Sequence, residues 1–138
     1  MVWEDVNWSL FSTLCEWQNI KKKKISMKSP TITKTRFLDS QYKQQLLRVD
    51  EERKEDISEE WIKQVEYILN NEKPDLILIS DYDKWLITKD LVSMVKNYAN
   101  NNLVNILVDI KPKNLELFHD IYLVKPNFKE FCEMMWIQ

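Results

Sequence analysis

Pro74-Asp-Leu-Ile-Leu-Ile-Ser-Asp-Tyr-Asp-Lys-Trp85 is the stretch that decides how this chain is read. Leu76 to Ile79 is a continuous β-favouring apolar run, the pattern of a strand buried on both faces. It stops at Ser80, Asp81, Asp83 and Lys84, and a helical pattern from Thr88 to Tyr98 follows. In open α/β sheets, ligands sit just past the carboxyl ends of such strands. The polar cluster is therefore a candidate site on chemistry alone. Trp85 stands where a strand-to-helix turn ordinarily asks for glycine.

The alternation continues on both sides of this stretch. Upstream, Ser58-Glu-Glu is a capped, acidic helix start. Ile57, Trp61, Val65, Ile68 and Leu69 then recur at helical spacing as far as Asn70-Asn71. Downstream, a helix from Lys89 to about Asn100 precedes a strand at Val104 to Asp109. A turn at Lys111 to Asn114, a short helical segment at Leu115 to Phe118 and a brief strand at Ile121 to Val124 follow. Pro126 and Asn127 open a last helix towards Met135. From Ser58 onward the order is αβαβ(α)βα, which implies a parallel sheet with right-handed crossovers.

The first part of the chain has another character. Met1 to Ile20 reads as mainly helical, with Val6, Leu10, Leu14 and Cys15 on one face, and Ser29-Pro30 breaks the chain. Thr31 to Leu38 and Gln45 to Asp50 read as strands. The short polar link Asp39 to Lys43 makes them an antiparallel pair with one face open to solvent.

Composition bounds the function classes. The 138 residues carry 20 Lys+Arg against 22 Asp+Glu, a net charge of −2, which gives no electrostatic case for nucleic acid. Lys21 to Lys24 is the one dense basic run, better read as a solvated helix end or loop than as a phosphate-binding patch. No apolar segment approaches the ~20 residues that span a bilayer, and acidic Glu4 and Asp5 do not suit a signal peptide. Cys15 and Cys132 lack a CxxC partner and read as buried thiols, so the expected location is cytoplasmic. One count stands out: there is no glycine and there are six tryptophans. Ordinary glycine usage of ~7% predicts roughly ten in a chain of this length.

Five segments together resemble the PfkB/ribokinase-type carbohydrate kinases, and most closely the heptose-7-phosphate kinase part of bifunctional ADP-heptose synthases. They are Pro30-Thr-Ile-Thr-Lys-Thr-Arg36, Gln44-Gln-Leu-Leu-Arg-Val-Asp50, Leu78-Ile-Ser-Asp-Tyr-Asp-Lys84, Ile106-Leu-Val-Asp-Ile-Lys111 and Lys125-Pro-Asn-Phe-Lys-Glu-Phe131. They occur in the family's order across nearly the whole chain. The resemblance implies a ribokinase-like three-layer αβα fold, incomplete here. Its parallel sheet lies in residues 57–138 and its antiparallel lid strand pair in 31–50. It implies an ATP-dependent kinase acting on a sugar phosphate, with ATP and Mg²⁺ as cofactors, in nucleotide-sugar or lipopolysaccharide-type synthesis. It also implies a homodimer through the lid strands. Trp3, Trp8, Trp17, Trp85 and Trp136 fall where the family has glycine, whereas Trp61 suits an apolar helix face.

Phosphoryl transfer needs positioned phosphates, magnesium, a base on the acceptor hydroxyl and stabilisation of the transferring group. Asn127 and Glu130 match the family's Asn-x-x-Glu motif, which organises the nucleotide phosphates and Mg²⁺ through water. Asn127 is a capping residue type at a helix start, and Glu130 is a hard oxygen ligand on the same face. Taken alone, the same pattern is as often a plain helix cap. Asp81 and Lys84 look like substrate-side groups, with a surface ion pair as the bland reading. Asp109 and Lys111, which match the family's Asp-Pro-Lys-Gly in part, are placed on the substrate side as well, and Ile110 and Pro112 depart from that pattern. Lys34 and Arg36 fall on the lid-like strands and could meet a sugar phosphate. His119 is alone and suits a surface or capping role. The family's catalytic aspartate lies in a Gly-Ala-Gly-Asp turn with no counterpart in this sequence, nor does the family's glycine-rich sugar-binding segment have one. No catalytic residue and no direct metal ligand is assigned, and these 138 residues alone are expected to lack kinase turnover.

Asp81 and Lys125 also resemble the phospho-acceptor and lysine of a response-regulator receiver, with Asp50-Glu51 as its acidic pair. The spacing from Asp50 to Asp81 is short for that arrangement. A third reading is a non-catalytic module that associates through its strand pair.

Overall fold

A computed structural model describes residues 6–23, 25 and 31–135. Trp3, Lys24, the Ser29–Pro30 break and Trp136 lie outside the described residues. The chain forms two compact units, Met1–Glu55 and Asp56–Gln138.

In the first unit, α1 spans Val6–Trp17. Cys15 is buried, but Leu10 and Leu14 are 61% and 50% exposed, so the expected apolar face is largely open. Strands β1 (Thr33–Leu38) and β2 (Gln45–Glu51) pair antiparallel, with Lys34 opposite Asp50 and Arg36 opposite Arg48. The link between them is held by Asp39, whose carboxylate accepts from the backbone N–H groups of Gln41 and Tyr42. The expectation of one buried face is corrected here. Every β2 residue is exposed, and on β1 only Thr33 is partly covered. Phe37, Leu46 and Leu47 therefore keep much of their surface in water despite their alternation.

The second unit holds the core. Helix α2 spans Glu59–Glu72, and Ser58 caps it by accepting from the Trp61 N–H. Strand β3 (Leu76–Ser80) leads to α3 (Lys89–Asn102), capped in the same way by Thr88. Strand β4 (Asn105–Asp109) follows. A 3-10 helix at Pro112–Phe118 comes next, longer than the segment expected there, and then β5 (Leu123–Val124) and α4 (Phe128–Met134). The sheet order is β3-β4-β5, all parallel, with Leu78 opposite Leu107 and Val108 opposite Val124.

The core lies between one face of this sheet and the helices. Ile106, Val108 and Ile110 meet Leu91, Val92, Val95, Ala99 and Phe118, with Trp61, Val65, Leu69, Ile77 and Ile79 packed around them. The Tyr98 hydroxyl ties α3 to α2 by donating to the Leu69 carbonyl at 2.9 Å. The reading of Leu76–Ile79 as buried on both faces is corrected: Leu76 and Leu78 are 48% and 68% exposed. Pleating sends alternate side chains to opposite faces, and α2 and α3 cover only the face that carries Ile77 and Ile79. Cys132 is half-buried, not fully buried.

Candidate functional site

Polar side chains gather at the carboxyl ends of β3 and β4 and at the start of α4. The backbone delivers them there because β3 and β4 run in register, so Ser80 and Asp109 are neighbours and both strands end together. The Asp81 N–H continues the ladder to the Asp109 carbonyl at 2.8 Å.

Asp81 is 4% exposed, and both its oxygens are engaged. Oδ1 accepts from the Asp83 N–H at 2.8 Å. Oδ2 accepts from the Asn114 side-chain amide at 2.7 Å and from the Lys111 N–H at 3.3 Å. A buried carboxylate is tolerated only with such partners. Asp81 thus knots the β3 turn to the start of the 3-10 helix and sets the backbone of Lys111. Asn114 was not singled out by sequence. An amide three residues after a lysine carries no pattern, and only the fold brings it to Asp81.

Asn127 and Glu130 form a reciprocal capping box. Asn127 Oδ1 accepts from the Glu130 N–H at 2.9 Å, and Glu130 Oε2 accepts from the Asn127 N–H at 2.8 Å. The other Glu130 oxygen receives Lys111 Nζ at 2.5 Å. Glu130 is 7% exposed, and the Lys111 hydrogen bond holds its carboxyl below the usual carboxylate range. The Asn127 N–H adds to that effect, and desolvation opposes it. Lys111 is pushed up in turn, chiefly by the same bond and further by the charges of Glu130, Asp109 and Asp81. At seven residues, α4 is too short for its dipole to matter much, so side chains dominate this end.

These residues border an open cleft of about 440 Å³, whose lining includes Asp83, Lys111, Lys113, Asn127, Glu130 and Glu133. Asp83 pairs with Lys113, and Asp109 pairs with Lys125 at 3.5 Å. Lys111, Lys113 and Lys129 offer ammonium donors to the oxygens of a phosphorylated ligand, balanced on the same cleft by the carboxylates of Asp83, Glu130 and Glu133. Among the described residues no group of three or more His, Cys, Asp or Glu is arranged to hold a metal ion. Both Glu130 oxygens are already engaged, one by Lys111 and the other by the Asn127 N–H.

Of the residues singled out from sequence, the structure brings together Asp81, Asp109, Lys111, Asn127 and Glu130 in the second unit. Lys84 lies in the adjoining turn, its ammonium 5.9 Å from the centre of the Trp85 ring. Lys34 and Arg36 belong to the first unit, where both are exposed. Asp50 is in that unit too, ion-paired with Arg48 at 2.9 Å, and Lys125 pairs with Asp109 instead of Asp81. His119 is exposed beyond the 3-10 helix, and its carbonyl accepts from Lys96.

No family model matches the chain. It is 40% identical over 105 residues to the bifunctional protein HldE of Aliarcobacter butzleri, which covers 75% of this chain and 22% of that protein. It resembles part of HldE. HldE of a Nitratiruptor strain is 31% identical over 133 residues, covering 94% of this chain and 27% of that protein. An uncharacterized protein of Methanocaldococcus jannaschii is 42% identical over 96 residues, covering 68% of this chain and 62% of that protein. The chain therefore spans about a quarter of these HldE proteins and under two thirds of the archaeal relative. Among the described residues no helix is long and apolar enough to cross a membrane.

Proposed function

We propose that the chain is a portion of an ATP-dependent carbohydrate kinase of the PfkB/ribokinase type, with a ribokinase-like fold. Its substrate is a sugar phosphate of the heptose-7-phosphate kind, used for nucleotide-sugar synthesis. The observation that carries this reading is the Lys111–Glu130–Asn127 constellation on an open cleft at the carboxyl ends of parallel strands. The similarity to HldE proteins supports it.

In this reading the nucleotide phosphates lie against Lys111, Lys113, Lys129 and Asn127. ATP supplies the transferable phosphoryl group, and Mg²⁺ accompanies it through water near Glu130. Lys111 plays two parts, neutralising Glu130 and presenting positive charge to the cleft, and Asp81 fixes its backbone. Asp81, Lys84 and Asp109 belong to the sugar side, and Lys34 and Arg36 to the lid. The base that would take the acceptor proton is not among these 138 residues, so this chain binds without turning over. The lid strands, exposed on both faces, are the surface through which two copies associate.

The test is titration of the purified chain with MgATP, read by NMR amide shifts, with light scattering of the same samples to read dimer formation. Saturable shifts at Lys111 and Asn127, with a Kd on the order of 1 mM, are expected to vanish in Lys111→Ala with the circular dichroism unchanged. A MgATP response that survives Lys111→Ala, or none in the original chain, sinks the reading.

A further inference from the structure

Among the described residues, seven adopt positive φ: Asn19, Lys43, Lys73, Asp83, Trp85, Leu103 and Asp120. Asn and Asp tolerate this region, and a helix cap such as Lys73 or Leu103 commonly visits it. Trp85 is a different case. Its φ is 57°, and the Leu86 N–H bonds back to the Lys84 carbonyl at 2.7 Å. Trp85 is thus the central residue of a three-residue turn with positive φ, the rarer and strained form of the γ-turn. A Cβ in that conformation crowds the backbone, and glycine alone is free of the penalty.

The Trp85 indole is half-buried, but it is not among the residues packed against the core, where Trp61 is the tryptophan present. The Lys84 ammonium, from the neighbouring residue, lies 5.9 Å from the ring centre. Trp17 repeats the theme in the first unit, at the last position of α1 with 78% of its surface exposed. Tryptophan at a strained turn and at an open helix end, in a chain with six tryptophans and no glycine, calls for a single cause.

We infer that the protein made in its own cell carries glycine at position 85. The codon there is UGA, which one variant of the genetic code reads as tryptophan and another reads as glycine. This inference stands on backbone geometry and composition and is independent of the kinase reading. With glycine there, the turn that follows Asp83 loses its Cβ strain, and Lys84 no longer has the indole ring 5.9 Å from its ammonium.

The experiment is mass spectrometry of the protein isolated from its natural source. Cleavage before Asp83 and before Asp90 releases the seven residues from 83 to 89. The expected peptide is Asp-Lys-Gly-Leu-Ile-Thr-Lys, and Asp-Lys-Trp-Leu-Ile-Thr-Lys overturns the inference. Sequencing the gene gives an independent reading: UGA at codon 85 is expected, and UGG overturns it.

Discussion

Leu103 allows the cost of a glycine-free chain to be measured without disturbing the core. It caps α3 with φ 56° and ψ 38°, its N–H bonded to the Ala99 carbonyl, and its side chain is 94% exposed. A residue with a Cβ pays about 1–2 kcal/mol in this left-handed conformation. Glycine removes that cost but adds unfolded-state freedom worth about 0.5–1 kcal/mol. Almost no buried surface is lost, so Leu103→Gly should stabilise by about 0.5–1 kcal/mol. For a domain of this size that corresponds to a rise in Tm of about 2–8 °C. Urea and thermal unfolding followed by circular dichroism read it out, as a raised midpoint with an unchanged denaturant slope. Two controls separate backbone strain from side-chain effects. Leu103→Ala removes the same exposed surface and keeps the Cβ, so it should gain nothing. Asn100→Gly, exposed within α3, should lose about 1 kcal/mol. If Leu103→Gly is no more stable than Leu103→Ala, the strain argument fails here and weakens at Trp85.

The Lys111–Glu130 pair predicts a pH dependence with a definite sign. Glu130 is held below its ordinary value of 4.5, so its contribution is present above that pH and lost as pH falls through the lowered folded value. Lys111 is raised above 10.5, so its contribution is full below that pH and lost as pH rises through the folded value. Urea midpoints measured across pH should show both limbs. Glu130→Gln should flatten the acid limb, and an unaltered limb would contradict the pairing. Asp81 is a structural anchor as well as a site residue. Asp81→Ala leaves two backbone N–H groups and the Asn114 amide without their acceptor and should destabilise by about 2–3 kcal/mol. Asn114→Ala removes one donor and should cost about 1 kcal/mol. Equal losses in the two variants, by chemical denaturation, would refute the shared role of Asp81.

Much of the second unit is legible in the sequence because its signals are local. Ser58 and Asn127 are capping residue types at the helix starts expected of them, and each caps its helix, whereas Thr88, read as part of a helical pattern, proves to be the cap of α3. The run Leu76–Ile79 and the alternation around it sufficed for a parallel sheet, since a strand followed by a helix can return only by a crossover. Trp85 could be flagged from its place after a strand, before any dihedral angle was known.

What tertiary structure alone decided is coverage and partnership. An apolar run reads the same whether one face or both are packed, so the exposure of Leu76 and Leu78 depended on where α2 and α3 lie. The alternation in Thr33–Leu38 is likewise silent on whether anything packs against it, and in the first unit the strand pair stays exposed. At the site, Asp81, Lys111, Asn114 and Glu130 are separated by up to 49 positions in sequence. Side-chain hydrogen bonds fall off within a few ångströms, so their network exists only once parallel strands have stacked those positions together. Sequence determined that polar residues gather where a strand gives way to a helix and that a tryptophan stands in that turn; the fold determined that Lys111 holds Glu130 and that Asp81 holds Lys111.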